Sequence, residues 1–260
     1  MITLKELGDI MENICPLAVS EACKALGMHD NSGLIVSRKG GVHKIAFSLD
    51  LSEKGVEEAA KSGCDCVITH HPAIYYGLMR IGEDSAAGAA VAAAVAKGMA
   101  VFSQHLNLDL APGGIDDMMA YGLGAAEFTA LSSPCAGAGY GKAFEIPPVS
   151  LGEFAERVKV KFGTEKLVVY GDPDRRIEKV ASFCGAGGDE AAEHKDAADV
   201  FVTSDAPHHV IREIVENGKA LLLLPHYAAE NYGFKAFFAK MKGLLAGRAE
   251  TEYFEDGRYL

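Results

Sequence analysis

The amino-acid sequence predicts an α/β protein of two lobes with a cleft between them, each lobe carrying a β-α-β unit. Three observations predict it. Short β-branched runs alternate with helix-forming runs in both halves, the pattern of parallel β-α-β units. The pattern also repeats: strand, helix and strand occupy Lys44 to Thr69 and again Lys179 to Thr203, spans of 25 (69 − 44) and 24 (203 − 179) positions. Matching elements at matching spacing read as an internal duplication. Finally, Gly137 to Gly141 and Pro147-Pro148 lie between the repeats and read as joints. These signals divide the chain into lobes at 1–125 and 126–260.

Taken in order, residues 1 to 27 place apolar side chains at Leu4, Leu7, Ile10 and Met11, then at Leu17, Ala18, Ala22, Ala25 and Leu26. Two helices follow, parted at Cys15-Pro16 and closed by Gly27. Asp30-Asn31-Ser32-Gly33 is a turn before a short strand, Leu34 to Ser37. The first repeat contributes a strand over 44–49, a helix over 56–62 and a strand over 66–69. A helix over 86–97 and a strand over 99–103 complete it. A helix over 151–162 and a strand over 166–170 precede the second repeat. There the strands are expected at 179–184, 199–203 and 220–224, with helices at 189–197 and 210–217 between them.

Composition excludes several classes. With 260 residues and 49% hydrophobic content, the chain can bury a substantial core and is not a disordered one. The longest apolar run, Ala86 to Ala96, is too short to span a bilayer, so no membrane association is expected. A net charge of −11 argues against a broad nucleic-acid-binding face. The six cysteines form no C-x-x-C pair or disulfide framework, which predicts a reducing, cytoplasmic setting.

Ligands of parallel α/β sheets bind beyond the carboxyl ends of the strands. Those ends hold His70-His71, His105 with Asp109, Asp205 with His208-His209, and His226 with Glu230. Six of the nine histidines fall there. Imidazoles and carboxylates gathered this way are ligands for zinc, iron or manganese. Neighbouring side chains on an extended backbone point to opposite faces, so His70 and His71 are expected to serve two ions rather than one. Pro72 favours that extended form at His71. His226 and Glu230, four apart on a helix, share one face. His105 is a candidate proton shuttle or orienting partner, and Asp205 and His209 are candidate substrate contacts. Gly185 to Gly188 follows a strand and could cradle a phosphate with backbone N–H groups. Cys64 and Cys66 read as small core residues, and His29, His43 and His194 as surface residues.

The segments Asp30-Asn-Ser-Gly-Leu, Ile68-Thr-His-His-Pro72, His105-Leu-Asn-Leu-Asp109, Gly113-Gly-Ile-Asp116, Gly185-Ala-Gly-Gly188, Thr203-Ser-Asp205 and His226-Tyr-Ala-Ala-Glu230 stand in order over nearly the whole chain. In this they resemble the NIF-three-like dinuclear-metal family, the type 2 GTP cyclohydrolase I homologues. Pro225 and Ser204 stand where that family usually has glycine. The resemblance implies that His71 and Asp109 bind one divalent ion, His70 and His226 a second, and that Glu230 bridges them. It further implies a homo-oligomer of hexameric, toroidal form. On this reading the chain is a dinuclear metal-dependent hydrolase for a small phosphorylated or nucleotide-like substrate. The alternative is a non-enzymatic metal-binding regulatory or scaffolding protein.

Overall fold

The computed structural model describes residues 1–259. In chain order its elements are α1 (Leu4–Glu12), α2 (Leu17–Ala25), β1 (Gly33–Val36), β2 (Lys44–Ser48), α3 (Glu53–Lys61), β3 (Cys66–Thr69), α4 (Ala86–Ala96), β4 (Ala100–Ser103) and α5 (Leu106–Leu110). There follow α6 (Ile115–Gly122), β5 (Thr129–Ser132), β6 (Tyr140–Ser150), α7 (Leu151–Phe162), β7 (Val168–Tyr170), β8 (Arg176–Ser182), α8 (Gly188–Glu193), β9 (Val200–Thr203), α9 (His208–Glu216), β10 (Ala220–Leu223), α10 (His226–Leu244) and β11 (Glu250–Tyr253). No helix among the described residues is long and apolar enough to cross a membrane.

Two compact units result. The first takes Met1–Ala111 and Ala236–Asp256, the second Pro112–Lys235 and the residues from Gly257. The division therefore falls at 111/112 rather than 125/126, and a late segment returns to the first unit. β11 explains the return: it lies parallel to β2, pairing Glu250 with Lys44 and Tyr253 with Phe47. A four-residue strand so far along the chain from its partner carries no local sign of that pairing.

The sheet of unit 1 has the order β1-β4-β3-β2-β11. Strands β2, β3 and β4 are mutually parallel and β1 runs antiparallel to β4. Phe47 and Ile68 are fully buried on these strands. Burying a side chain of this size contributes about 1.5–3 kcal/mol. Val56, Ala59, Val91 and Ala94 of the crossover helices pack with Ala46, Val67 and Val101 in one core cluster, which also takes in Cys64. Cys66 is fully buried nearby, so both thiols are core residues, as expected. The helices start where side chains satisfy their first N–H groups. Thr3 and Glu6 form a capping box on α1, and the Ser52 hydroxyl accepts from the Gly55 N–H at 3.0 Å. That cap starts α3 at Glu53, ahead of the first apolar position that the periodicity marks.

Unit 2 has the order β5-β6-β8-β9-β10-β7. Here β8, β9 and β10 are parallel and β7 is antiparallel to β10. The stretch expected to be a joint is instead the long strand β6, which runs through Pro147-Pro148. Proline removes a ladder donor and survives only where none is needed. Pairing of β6 with β8 lapses between Glu145 and Val149, and its pairing with β5 ends at Ala143. The prolines occupy that gap. Phe183, Phe201, Val210, Ile214 and Leu221 form the core on one side of this sheet. The helix α8 is shorter than the expected 189–197, ending at Glu193.

Candidate metal centre

The strand β3 stops at Thr69, and the chain bends at once. The N–H groups of His70 and His71 both donate to the Leu49 carbonyl, at 3.1 and 3.0 Å. Shared pairing on one acceptor ends the extended geometry, so the alternation of faces does not apply. The two rings stand with centroids 4.8 Å apart instead of on opposite sides of the chain. The expectation that each serves a separate ion cannot be drawn from strand geometry.

His70 is fully buried. Its Nδ1 lies 2.8 Å from the Gln104 carbonyl, which only accepts, so Nδ1 carries the proton and Nε2 is the nitrogen that could ligate an ion. That nitrogen is 3.5 Å from Asp109 Oδ1. Gln104 is itself placed by its N–H on the Thr69 carbonyl and by its side-chain oxygen, which accepts from Asn107 at 2.6 Å. His71 Nδ1 lies 2.7 Å from Asp50 Oδ1, and His105 Nδ1 is 2.7 Å from Asp30 Oδ1. His70, His105 and Asp109 each bring one ligand atom within 4.8 Å of the others, a group able to hold a metal ion.

Asp30 is a buried carboxylate that stays ionised. Burial works against its charge, but hydrogen bonds from His105, Ser20 and Ser32 together outweigh that and bring it down to about 2. It sits in the turn before β1, where Ser32 donates to Asp30 at 2.8 Å and accepts from the His105 N–H at 3.1 Å. The turn thereby fixes the backbone and the ring of His105 together.

In unit 2, His226 opens α10 and its Nε2 lies 3.0 Å from Oε1 of Glu230, the next side chain on the same helix face. His226 Nδ1 lies 2.5 Å from Asp205 Oδ2. Gly185 lies beside the Glu230 carboxylate with φ of +65°, and a Cβ there would come within 2.9 Å of Glu230 Oε1. Only glycine leaves room for the acid at that point. The two departures from the resembled family fit locally. Among the described residues none other than glycine has positive φ, so Ser204 needs no glycine, and the Pro225 carbonyl accepts the Ala229 N–H in the first turn of α10.

Asp205 therefore meets His226, and His209 lies exposed in the first turn of α9. Within the glycine segment, the Gly187 N–H donates to Thr203 Oγ1 at 3.0 Å. Asp50 and the Gln104 carbonyl are the partners the sequence reading missed. Asp50 lies just past the end of β2, and extending the strand-end search to that strand would have found it.

The donor set fits a divalent ion. All four imidazoles have Nδ1 held by an oxygen acceptor, which makes Nε2 the atom able to ligate an ion or accept a proton and raises its basicity. Oxygen and imidazole ligands suit zinc, iron or manganese.

Known proteins resemble this chain over most of its length. A "GTP cyclohydrolase 1 type 2 homolog" of Clostridium acetobutylicum is 28% identical over 250 residues, covering 94% of this chain and 91% of the relative. "NIF3-like protein 1" of Drosophila melanogaster is 26% identical over 228 residues, covering 85% of this chain and 75% of that protein. Among solved structures, a Staphylococcus aureus protein superposes with a TM-score of 0.84 at 21% identity, covering 97% of this chain and 96% of that one. A Bacillus cereus protein related to NIF3 gives 0.81 at 20% identity, with 96% of each chain covered. The family model for Duf34/NIF3 (NGG1p interacting factor 3) matches residues 2–255, and the chain belongs to that family.

Proposed function

We propose that the chain is a dinuclear divalent-metal-dependent hydrolase acting on a small phosphorylated or nucleotide-like molecule. The observation that carries this reading is that Nδ1 is held by oxygen at each proposed imidazole ligand, His70, His71 and His226. Such outer partners orient ligating histidines. The assignment is His71 and Asp109 on one ion, His70 and His226 on the other, with Glu230 between them. Two such ions, held there, would supply Lewis-acid polarisation and would bring the pKa of water toward neutrality.

The side chains around them hold and move protons. His105, whose Nδ1 proton is held by the ionised Asp30, keeps Nε2 as the proton-accepting atom. Should His105 instead ligate, as its place beside His70 and Asp109 permits, His209 is the remaining imidazole candidate for substrate contact. The names of bacterial relatives favour a guanine nucleotide as the first substrate to try. A cytoplasmic homo-oligomer, hexameric in the form the resemblance implies, completes the proposal.

The test has two parts. Elemental analysis with native mass should give two divalent ions per chain, and the loaded protein should hydrolyse members of a phosphoester and cyclic-amide panel. Glu230→Ala should abolish the hydrolysis, and activity surviving in that variant overturns the mechanism. Two tightly held ions with no hydrolysis of any panel member would favour a metal-binding regulatory protein.

A further inference from the structure

Unit 2 contains a buried ionic cluster that takes no part in the site described above. Lys142, in β6, is 3% exposed. Its Nζ lies 2.9 Å from Asp117 Oδ1, 3.5 Å from Asp116 Oδ2 and 2.9 Å from the Gly139 carbonyl, and 5.4 Å from the Phe128 ring centroid. Asp116 is fully buried in the first turn of α6. Taking three charges out of water is costly, and apolar residues of the same volume are often at least as stable. Stability alone therefore does not account for the cluster.

What the cluster holds does. Asp116 Oδ1 accepts the Cys184 N–H at 2.9 Å. On the other side of that residue, the Tyr140 hydroxyl donates to the Cys184 carbonyl at 2.8 Å. Cys184 leads directly into Gly185, whose backbone forms the wall beside Glu230. The far side of the turn is secured by Thr203, which donates to the Gly185 carbonyl at 3.0 Å. Lys142 fixes Asp116, Asp116 and Tyr140 fix the peptide groups of Cys184, and the turn that follows bounds the Glu230 carboxylate.

We propose that Asp116 is a positioning residue for the metal ligand Glu230, acting through the Cys184-Gly185 turn and anchored by Lys142. The proposal rests on the reading of Glu230 as a ligand. A carboxylate at an ion must be held to a few tenths of an ångström, and changing an outer partner typically weakens binding 10- to 100-fold.

The probe is Co2+, read by its visible absorption spectrum and by competition with a chelator, on the full chain. Asp116→Asn and Asp116→Leu are both uncharged and share the same branched shape, but only asparagine can accept from the Cys184 N–H. Asp116→Asn should bind Co2+ within about threefold of the parent, and Asp116→Leu about tenfold or more weaker with an altered spectrum. Tyr140→Phe, which removes the partner on the carbonyl side, should shift both readouts in the same direction by less. A folded Asp116→Leu protein with the parent's affinity and spectrum overturns the proposal. So does an asparagine variant as weak as the leucine one. If the leucine variant does not fold, Tyr140→Phe decides, and an unchanged Co2+ spectrum there counts against the idea. Glu230→Gln separates the two readings: if it binds Co2+ as the parent does, the ligand assignment fails and not the linkage through the turn.

Discussion

Units 1 and 2 are built on one strand plan and differ at the strand ends. The order β1-β4-β3-β2 in the first is matched by β7-β10-β9-β8 in the second, with the three parallel strands and the one antiparallel strand in corresponding places. Even the entry to the second parallel strand repeats. Asp65 accepts the N–H groups of His43 and Lys44, and Asp199 those of Glu178 and Lys179, each acid tying the starts of two neighbouring strands. Beyond Thr69 stand His70 and His71, with both N–H groups on Leu49. Beyond Thr203 stand Ser204 and Asp205, with both on Gly185. After the third parallel strand each unit has a histidine and an acid four apart, His105 with Asp109 and His226 with Glu230. The scaffold is duplicated and the side chains at the strand ends are not. Unit 1 has His70, His71 and His105 there, and the place of His71 is taken in unit 2 by Asp205, which meets His226.

That comparison can be broken at its outer partners first. If His105 ligates as His226 does in the proposed assignment, so that Asp30 and Asp205 do one job in the two units, Asp30→Asn and Asp205→Asn should each weaken metal binding about 10- to 100-fold, measured by chelator competition. A large loss in one variant and none in the other would mean that the repeated histidine-acid motifs are not equivalent.

The buried acids sharpen the contrast, since they are shifted in opposite directions. Asp30 is surrounded by donors and held low. At Asp116 burial dominates and lifts the carboxyl to about 6, against the pull of Lys142. Between its exposed value of 3.8 and about 6, folded Asp116 binds more protons than the unfolded chain, so its contribution to stability falls as pH rises through that window. Relative to Asp116→Asn, the metal-free parent should lose on the order of 2 kcal/mol between pH 4 and pH 7. Denaturant midpoints across that range read the difference. A constant offset between the two proteins would show that Asp116 does not titrate there.

The smallest effect is expected where the units agree. Asp65→Ala and Asp199→Ala each strand backbone N–H groups and should cost about 1–2 kcal/mol each, with metal affinity unchanged. Unequal losses from the two variants in chemical denaturation would limit the duplication to topology.

Much of this was legible in the sequence because it is local. The alternation of β-branched and helical runs gives β2, β3, β4, β8, β9 and β10 from neighbouring residues alone, and the near-equal spans 44–69 and 179–203 give the repeat. The strand-end rule pointed to His70, His71, His105, Asp109, His226 and Glu230, which stand just beyond parallel strands or in the helices that follow them. β6 was hidden by Pro147-Pro148, which look like a break until the lapse in pairing with β8 is seen. The outer partners were hidden for a related reason: Asp50 meets His71, and Asp30 meets His105, across 21 and 75 positions of sequence.

The sequence by itself determined which elements form, the duplication and the residue types able to hold metal, since periodicity, caps and ligand chemistry are properties of short segments. Tertiary structure alone decided that β11 completes the first sheet, that His70 and His71 stand side by side, and that Asp116 and Lys142 are buried beside the turn at Glu230. Those outcomes depend on which distant groups satisfy one another's hydrogen bonds once water is excluded, and no local pattern encodes that choice.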